Sequence, residues 1–155
     1  MISNSNTAYR QHDHQRCLKA ALVQAKNRCT ARNARLTPIR ESVLHLLWQS
    51  HRPLGAYKII EQLSEASGKR VLPPTVYRAL DFLLELGLIH RLATLNAYIG
   101  CPFPDSEHSD YFLLCRECGR VAECSADNVN KAIVSTAERA GFLVEGQSVE
   151  ILGLC

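Results

Sequence analysis

The chain has 155 residues, 46% of them hydrophobic and 21% charged, with a formal net charge of +3. That is the composition of an ordinary globular protein of one domain or two small ones. No apolar run approaches the roughly 18 residues of a membrane helix, and the N-terminal MISNSNTAYRQHDHQRC lacks a hydrophobic signal segment, so a cytoplasmic location is expected.

The charge is unevenly spread. Residues 1–90 carry 13 Lys/Arg against 6 Asp/Glu, a net of +7, and residues 91–155 carry 5 against 9, a net of −4. A basic half suits a polyanionic partner and the acidic half does not. In the cytoplasm, seven cysteines point to metal ligation or redox chemistry rather than to a disulfide frame.

Residues 1–15 read as a disordered tail that includes His12 and His14. From 16 to 31, Leu18, Leu22, Ala25 and Cys29 recur at helical spacing, and Cys17 and Cys29 read as small core residues. RLTPIRESVLHLL predicts a second helix, with Thr37 as cap and Pro38 in the first turn. Its buried face is Ile39, Val43, Leu46 and Leu47, and His45 and His51 read as surface. GAYKIIEQLSEASG predicts a third helix that buries Ile59, Ile60 and Leu63 and stops at Gly68. LPPTVYRALDFLLELG predicts a fourth. Pro73 and Pro74 fit only at its start, Gly87 ends it, and Val76, Leu80, Leu83 and Leu84 face the core.

Thr75, Tyr77, Arg78 and Asp81 are then left on the outer side near the helix N-terminus. This is how a recognition helix presents short polar and Arg side chains to base edges in the major groove. LIHRLATLNAYIGC follows as two short strands around Thr94–Asn96. The pattern is a winged helix-turn-helix over residues 16–101 with an extra leading helix.

PFPDSEH (102–108) reads as a linker. Residues 109–155 form a second unit, with strands DYFLLC and RVAEC joined by a C-x-x-C turn. A helix follows with Val129, Ala132, Ile133, Ala137 and Ala140 on one face, and then a last strand or strand pair. The fold class is α+β: an N-terminal winged helix-turn-helix domain and a small C-terminal α/β domain. The second unit is too small to be comfortable alone, and metal and dimerisation are its natural supports.

Zinc takes four Cys, His or carboxylate ligands in a tetrahedron. Cys115 and Cys118 flank a turn with Gly119 and can clamp an ion from two corners. A thiol oxidoreductase would place this motif at the start of a helix in a βαβ unit, whereas here it lies between two strands. A second set of ligand types, His90, Cys101, His108 and Glu123, straddles the linker. By spacing alone this is a weak signal, because a lone His or Glu is more often a surface or satisfied core residue. A zinc hydrolase is excluded, because no H-E-x-x-H is present and a four-ligand site leaves no position for water. No other feature calls for an enzyme.

RLTPIRESVL (35–44), PPTVYRALDFLLELGLIHR (73–91), NAYIGC (96–101), CRECGRVAEC (115–124) and the final GLC together resemble the ferric uptake regulator family over about residues 16–155. The Cys101 before the linker, without a His-rich segment, resembles its zinc uptake regulator branch. The resemblance implies a homodimeric, zinc-responsive repressor of zinc-homeostasis genes that binds a double-stranded DNA operator, with residues 109–155 as the dimerisation domain. It implies two zinc ions per protomer: a structural one at Cys115, Cys118 and Cys155, and a regulatory one at His90, Cys101, His108 and Glu123. It implies DNA contacts from Arg35, Tyr57, Thr75, Tyr77 and Arg78. For Tyr57 the alternative is a partly buried helix residue.

The family places a fourth structural cysteine three residues beyond the position of Cys155, where the sequence has no residue. A longer chain, a water, a terminal carboxylate or a partner-chain ligand are the open alternatives. Cys124 is a weaker substitute because it should point away from Glu123 on its strand. Regulatory ligands from both sides of the linker suggest how zinc would act. They would favour the angle at which a dimer meets half-sites about 34–36 Å apart. Competing expectations are an iron- or peroxide-responsive member of the family and a metal-independent winged-helix protein whose zinc is only structural.

Overall fold

The computed structural model describes residues 8–105 and 110–155. They divide into two compact units, one of residues 12–105 and one of residues 8–11 with 110–155. The first opens with α1 (His14–Ala31), two residues earlier than its apolar spacing predicts. Asp13 is the reason, since its carboxylate accepts a hydrogen bond from the Gln15 N–H and caps the helix. α1 buries Leu18, Ala21, Ala25 and Cys29, and Cys17 and Leu22 pack at the edge of the same core. The polar stretch before the helix includes a 3₁₀ turn at residues 8–9, where Ala8 is buried.

α2 (Pro38–Leu47), α3 (Ala56–Ser67) and α4 (Pro73–Glu85) follow. Thr37 stands at the N-cap of α2, but its side chain makes no capping bond. Pro38 sets the entry instead. Leu44 is buried together with Val43 and Leu47, while Ile39 and Leu46 are only partly covered. α3 ends at Gly68, in the left-handed region at φ 66°. α4 ends in a Schellman motif. The Leu88 N–H bonds the Leu83 carbonyl at 2.9 Å and the Gly87 N–H bonds that of Leu84 at 2.9 Å, with Gly87 at φ 66°.

The wing is the antiparallel hairpin of β1 (Ile89–Leu92) and β2 (Ala97–Gly100), in register Ile89↔Gly100 to Leu92↔Ala97. Gly100 is required by close approach. A Cβ there would lie 2.3 Å from Trp48 Nε1, so the indole packs directly on the strand backbone.

The second unit holds β3 (Asp110–Cys115), β4 (Val121–Cys124), α5 (Asp127–Arg139) and β5 (Ser148–Gly153). The sheet order is β4-β3-β5, with β4 antiparallel and β5 parallel to β3. The sequence leaves a last strand or a strand pair open, and the structure shows a single strand. α5 buries no residue within the chain. Its face of Val129, Ala132, Ile133, Thr136, Ala137 and Ala140, with Phe142, lines an open apolar groove.

Candidate metal centres and DNA-facing surface

The parallel pairing of β3 and β5 builds the first metal centre. Register Cys115↔Gly153 brings the end of β5 to the edge where β3 enters the C-x-x-C turn. The Arg116 N–H fixes this end by bonding the Gly153 carbonyl at 3.0 Å. Cys155 then falls beside Cys115 and Cys118, and the three sulfurs lie within 4.8 Å of one another. Cys118 Sγ and Cys155 Sγ are 3.7 Å apart. Two thiolates on a tetrahedral zinc with Zn–S of about 2.3 Å stand about 3.8 Å apart, so the cluster fits that ion. None of the three is in a disulfide.

Cys115 Sγ accepts backbone N–H groups from Cys118 at 3.5 Å and Cys155 at 3.4 Å. These donors hold its thiol down to about 6, so it is a thiolate at neutral pH. Hydrogen bonding to Cys115 and Cys118 pushes Cys155 up to about 11. Gly119, at φ 70°, closes the turn. Cys124 is buried on β4 opposite Tyr111 and is outside the sulfur cluster.

The sequence gives no sign of Tyr9 here. Its hydroxyl donates to the Leu113 carbonyl, and its ring lines a small cavity with Leu114, Cys115, Ile151 and Cys155. Burial pushes the phenol up to about 12.

His90 and Cys101 are brought together in the wing. His90 is half-buried on β1, paired with Ile99. Cys101 is buried just past β2, where its N–H bonds the Leu88 carbonyl at 2.9 Å. The ligand atoms of the two residues lie within 4.8 Å. The Phe103 N–H donates to Cys101 Sγ at 3.4 Å. Glu123 is on β4 of the second unit, in register with Phe112. It is a carboxylate only 5% exposed between Ala122 and Cys124, and buried carboxylates are paired or bind metal. His108 lies outside the described residues.

On α4, Val76, Ala79, Leu80 and Leu83 are buried, which turns Thr75, Tyr77, Arg78 and Asp81 outward, all exposed. Tyr57, on α3, is 86% exposed, so it is not a core residue. Arg35 is exposed before α2, and its carbonyl accepts from the Arg40 guanidinium at 2.6 Å. Arg40 stacks over Phe82 and Arg28 bonds the Leu86 carbonyl, so those two cations serve the fold. Burial pushes the Tyr98 phenol of the wing up, partly offset by the Arg91 cation.

The sequence profile described as the Ferric uptake regulator family matches residues 31–152. The "Zinc uptake regulation protein" of Escherichia coli (strain K12) is 39% identical over 135 residues, 86% of this chain and 78% of that protein. The "Ferric uptake regulation protein" of Legionella pneumophila is 33% identical over 78% of this chain and 88% of its own. Among solved structures, "Zinc Uptake Regulator Complexed With Zinc AND DNA" superposes with a TM-score of 0.81 at 37% identity, covering 94% of each chain. "Crystal structure of holo XcZur" gives 0.79 at 36%, covering 89% of this chain and 95% of its own.

Proposed function

The chain belongs to the ferric uptake regulator family of metal-responsive, non-enzymatic DNA-binding regulators, and from that premise we propose that it is a zinc-responsive repressor of zinc-homeostasis genes. The observation that carries this reading is the outward set Thr75, Tyr77 and Arg78 on the first turns of α4, together with the His90–Cys101 ligand pair in the adjoining wing.

Arg78 is the residue to read guanine bidentately in the major groove. Thr75 and Tyr77 contact the same site, and Tyr57 and Arg35 hold the backbone or the minor groove. His90, Cys101, His108 and Glu123 form the regulatory site. A mixed N, S and O set suits zinc better than a hard or octahedral ion. Zinc held by these four residues would link side chains from either side of the hinge. Cys115, Cys118 and Cys155 hold a second, structural zinc.

The protein acts as a homodimer. The open face of α5 and the exposed Phe142, Ile151 and Leu152 are apolar surface that a second copy would cover. Residues 16–101 are then the DNA-binding domain, 102–108 the hinge and 109–155 the dimerisation domain.

The test is selection of a duplex from a random pool on zinc-loaded protein, followed by titration of that duplex across buffered free zinc, iron(II) and peroxide. Binding should rise with zinc alone. Binding that follows iron or is lost only to peroxide would favour a sister specificity within the family. Binding indifferent to all three would overturn metal sensing.

A further inference from the structure

We propose that His12, His14 and His51 form a third transition-metal site, distinct from the two ligand sets above, that takes a borderline divalent cation such as zinc. None of the three belongs to the metal-ligating residues that the family resemblance implies. By sequence two of them fall in a polar tail and the third on a loop. The fold closes them into a triangle, with ring centroids 4.4, 4.9 and 5.1 Å apart. One nitrogen from each ring lies within 4.8 Å of the others.

The geometry follows from local structure. The Asp13 cap turns the chain into α1, so His12 stands just outside the helix and His14 is its first residue. Two histidines two apart then share a side, which a continuous helix would not allow. His51 lies in the bend after α2. Trp48, held against Gly100, approaches His51 edge-on at 6.5 Å. The ligands thus sit on a helix start and on a loop backed by the core.

His12 Nε2 and His51 Nε2 are 2.9 Å apart. Nitrogens on a tetrahedral zinc, with Zn–N of about 2.0–2.1 Å, stand about 3.3–3.4 Å apart. A few tenths of an ångström of opening would admit the ion in place of the proton that the two rings share. Three imidazoles without thiolate suit zinc, copper(II) or nickel(II), and three protein ligands leave a coordination position for water. All three rings are half-buried, shielded from bulk water yet reachable.

The test compares the full chain with His51→Ala and with the double variant His12→Gln/His14→Gln. Each is loaded with zinc in the presence of a weak chelator and assayed for metal per chain. Parallel cobalt loading reads the thiolate-to-cobalt charge-transfer absorption, which arises only at cysteine-containing sites. Each variant should lose one metal equivalent per chain and keep the thiolate absorption of the wild type. Equal stoichiometry in all three proteins would overturn the site. So would a loss that takes the thiolate absorption with it in both variants, since the rings would then be structural. This readout is independent of DNA binding, so it stands or falls separately from the repressor reading.

Discussion

Cys118 Sγ and Cys155 Sγ stand 3.7 Å apart although 37 residues separate them. The contact closes the sheet edge where β3 and β5 end side by side, and a metal bound there ties the last strand to the C-x-x-C turn. Cys155→Ser should lose one zinc equivalent and destabilise the second unit. With free zinc about a thousandfold above the dissociation constant of the site, the linkage is worth about 4 kcal/mol. Elemental analysis and chelator-dependent melting check this. Unchanged melting would mean that the cluster holds no structural ion.

Ile133→Glu places a charge in the middle of the open α5 face. If a second copy covers that face, the buried unpaired carboxylate should weaken dimerisation by about 3 kcal/mol or more, over a hundredfold. Sedimentation equilibrium would show a monomer where the wild type is a dimer. Equal self-association in both would place the interface elsewhere.

Arg78→Ala should reduce discrimination against a wrong base by about 1–3 kcal/mol and leave zinc content unchanged, as measured by competition binding with single-base variants of the selected duplex. A drop in bound zinc would mean that Arg78 supports the fold rather than the DNA contact.

Much of this architecture is legible in the sequence because its punctuation is local. Pro73 and Pro74 fit only a helix start, and Gly68 and Gly87 adopt the left-handed geometry that ends α3 and α4. The outward set on α4 follows from the buried positions Val76, Leu80 and Leu83. Other features depend on tertiary pairing. Spacing alone does not place Cys155 beside Cys115, because that rests on the parallel register of β3 and β5. The His12–His14–His51 triangle rests on the turn at Asp13 and on the meeting of α1 with the loop after α2. Tyr9, in a polar stretch with no periodicity, carries no signal of its contact with Leu113. Leu44 is buried where Leu46 is expected because α2 packs against α1, α3 and α4 together rather than against one neighbour.

Gly100→Ala should cost about 1–3 kcal/mol through overpacking, because the added Cβ would meet Trp48 Nε1 at 2.3 Å. Trp48 is the only tryptophan, so its fluorescence reports both the displacement and the denaturant midpoint. A wild-type midpoint with unshifted emission would show that the strand and the indole can separate without loss.

The central claim is that zinc at the wing site governs DNA binding, and Cys101→Ser tests it most directly. Gel shifts on the selected duplex, across buffered free zinc, should show tight binding by zinc-loaded wild type and weak, zinc-insensitive binding by the variant. Equal binding by both proteins, with and without zinc, would contradict the account.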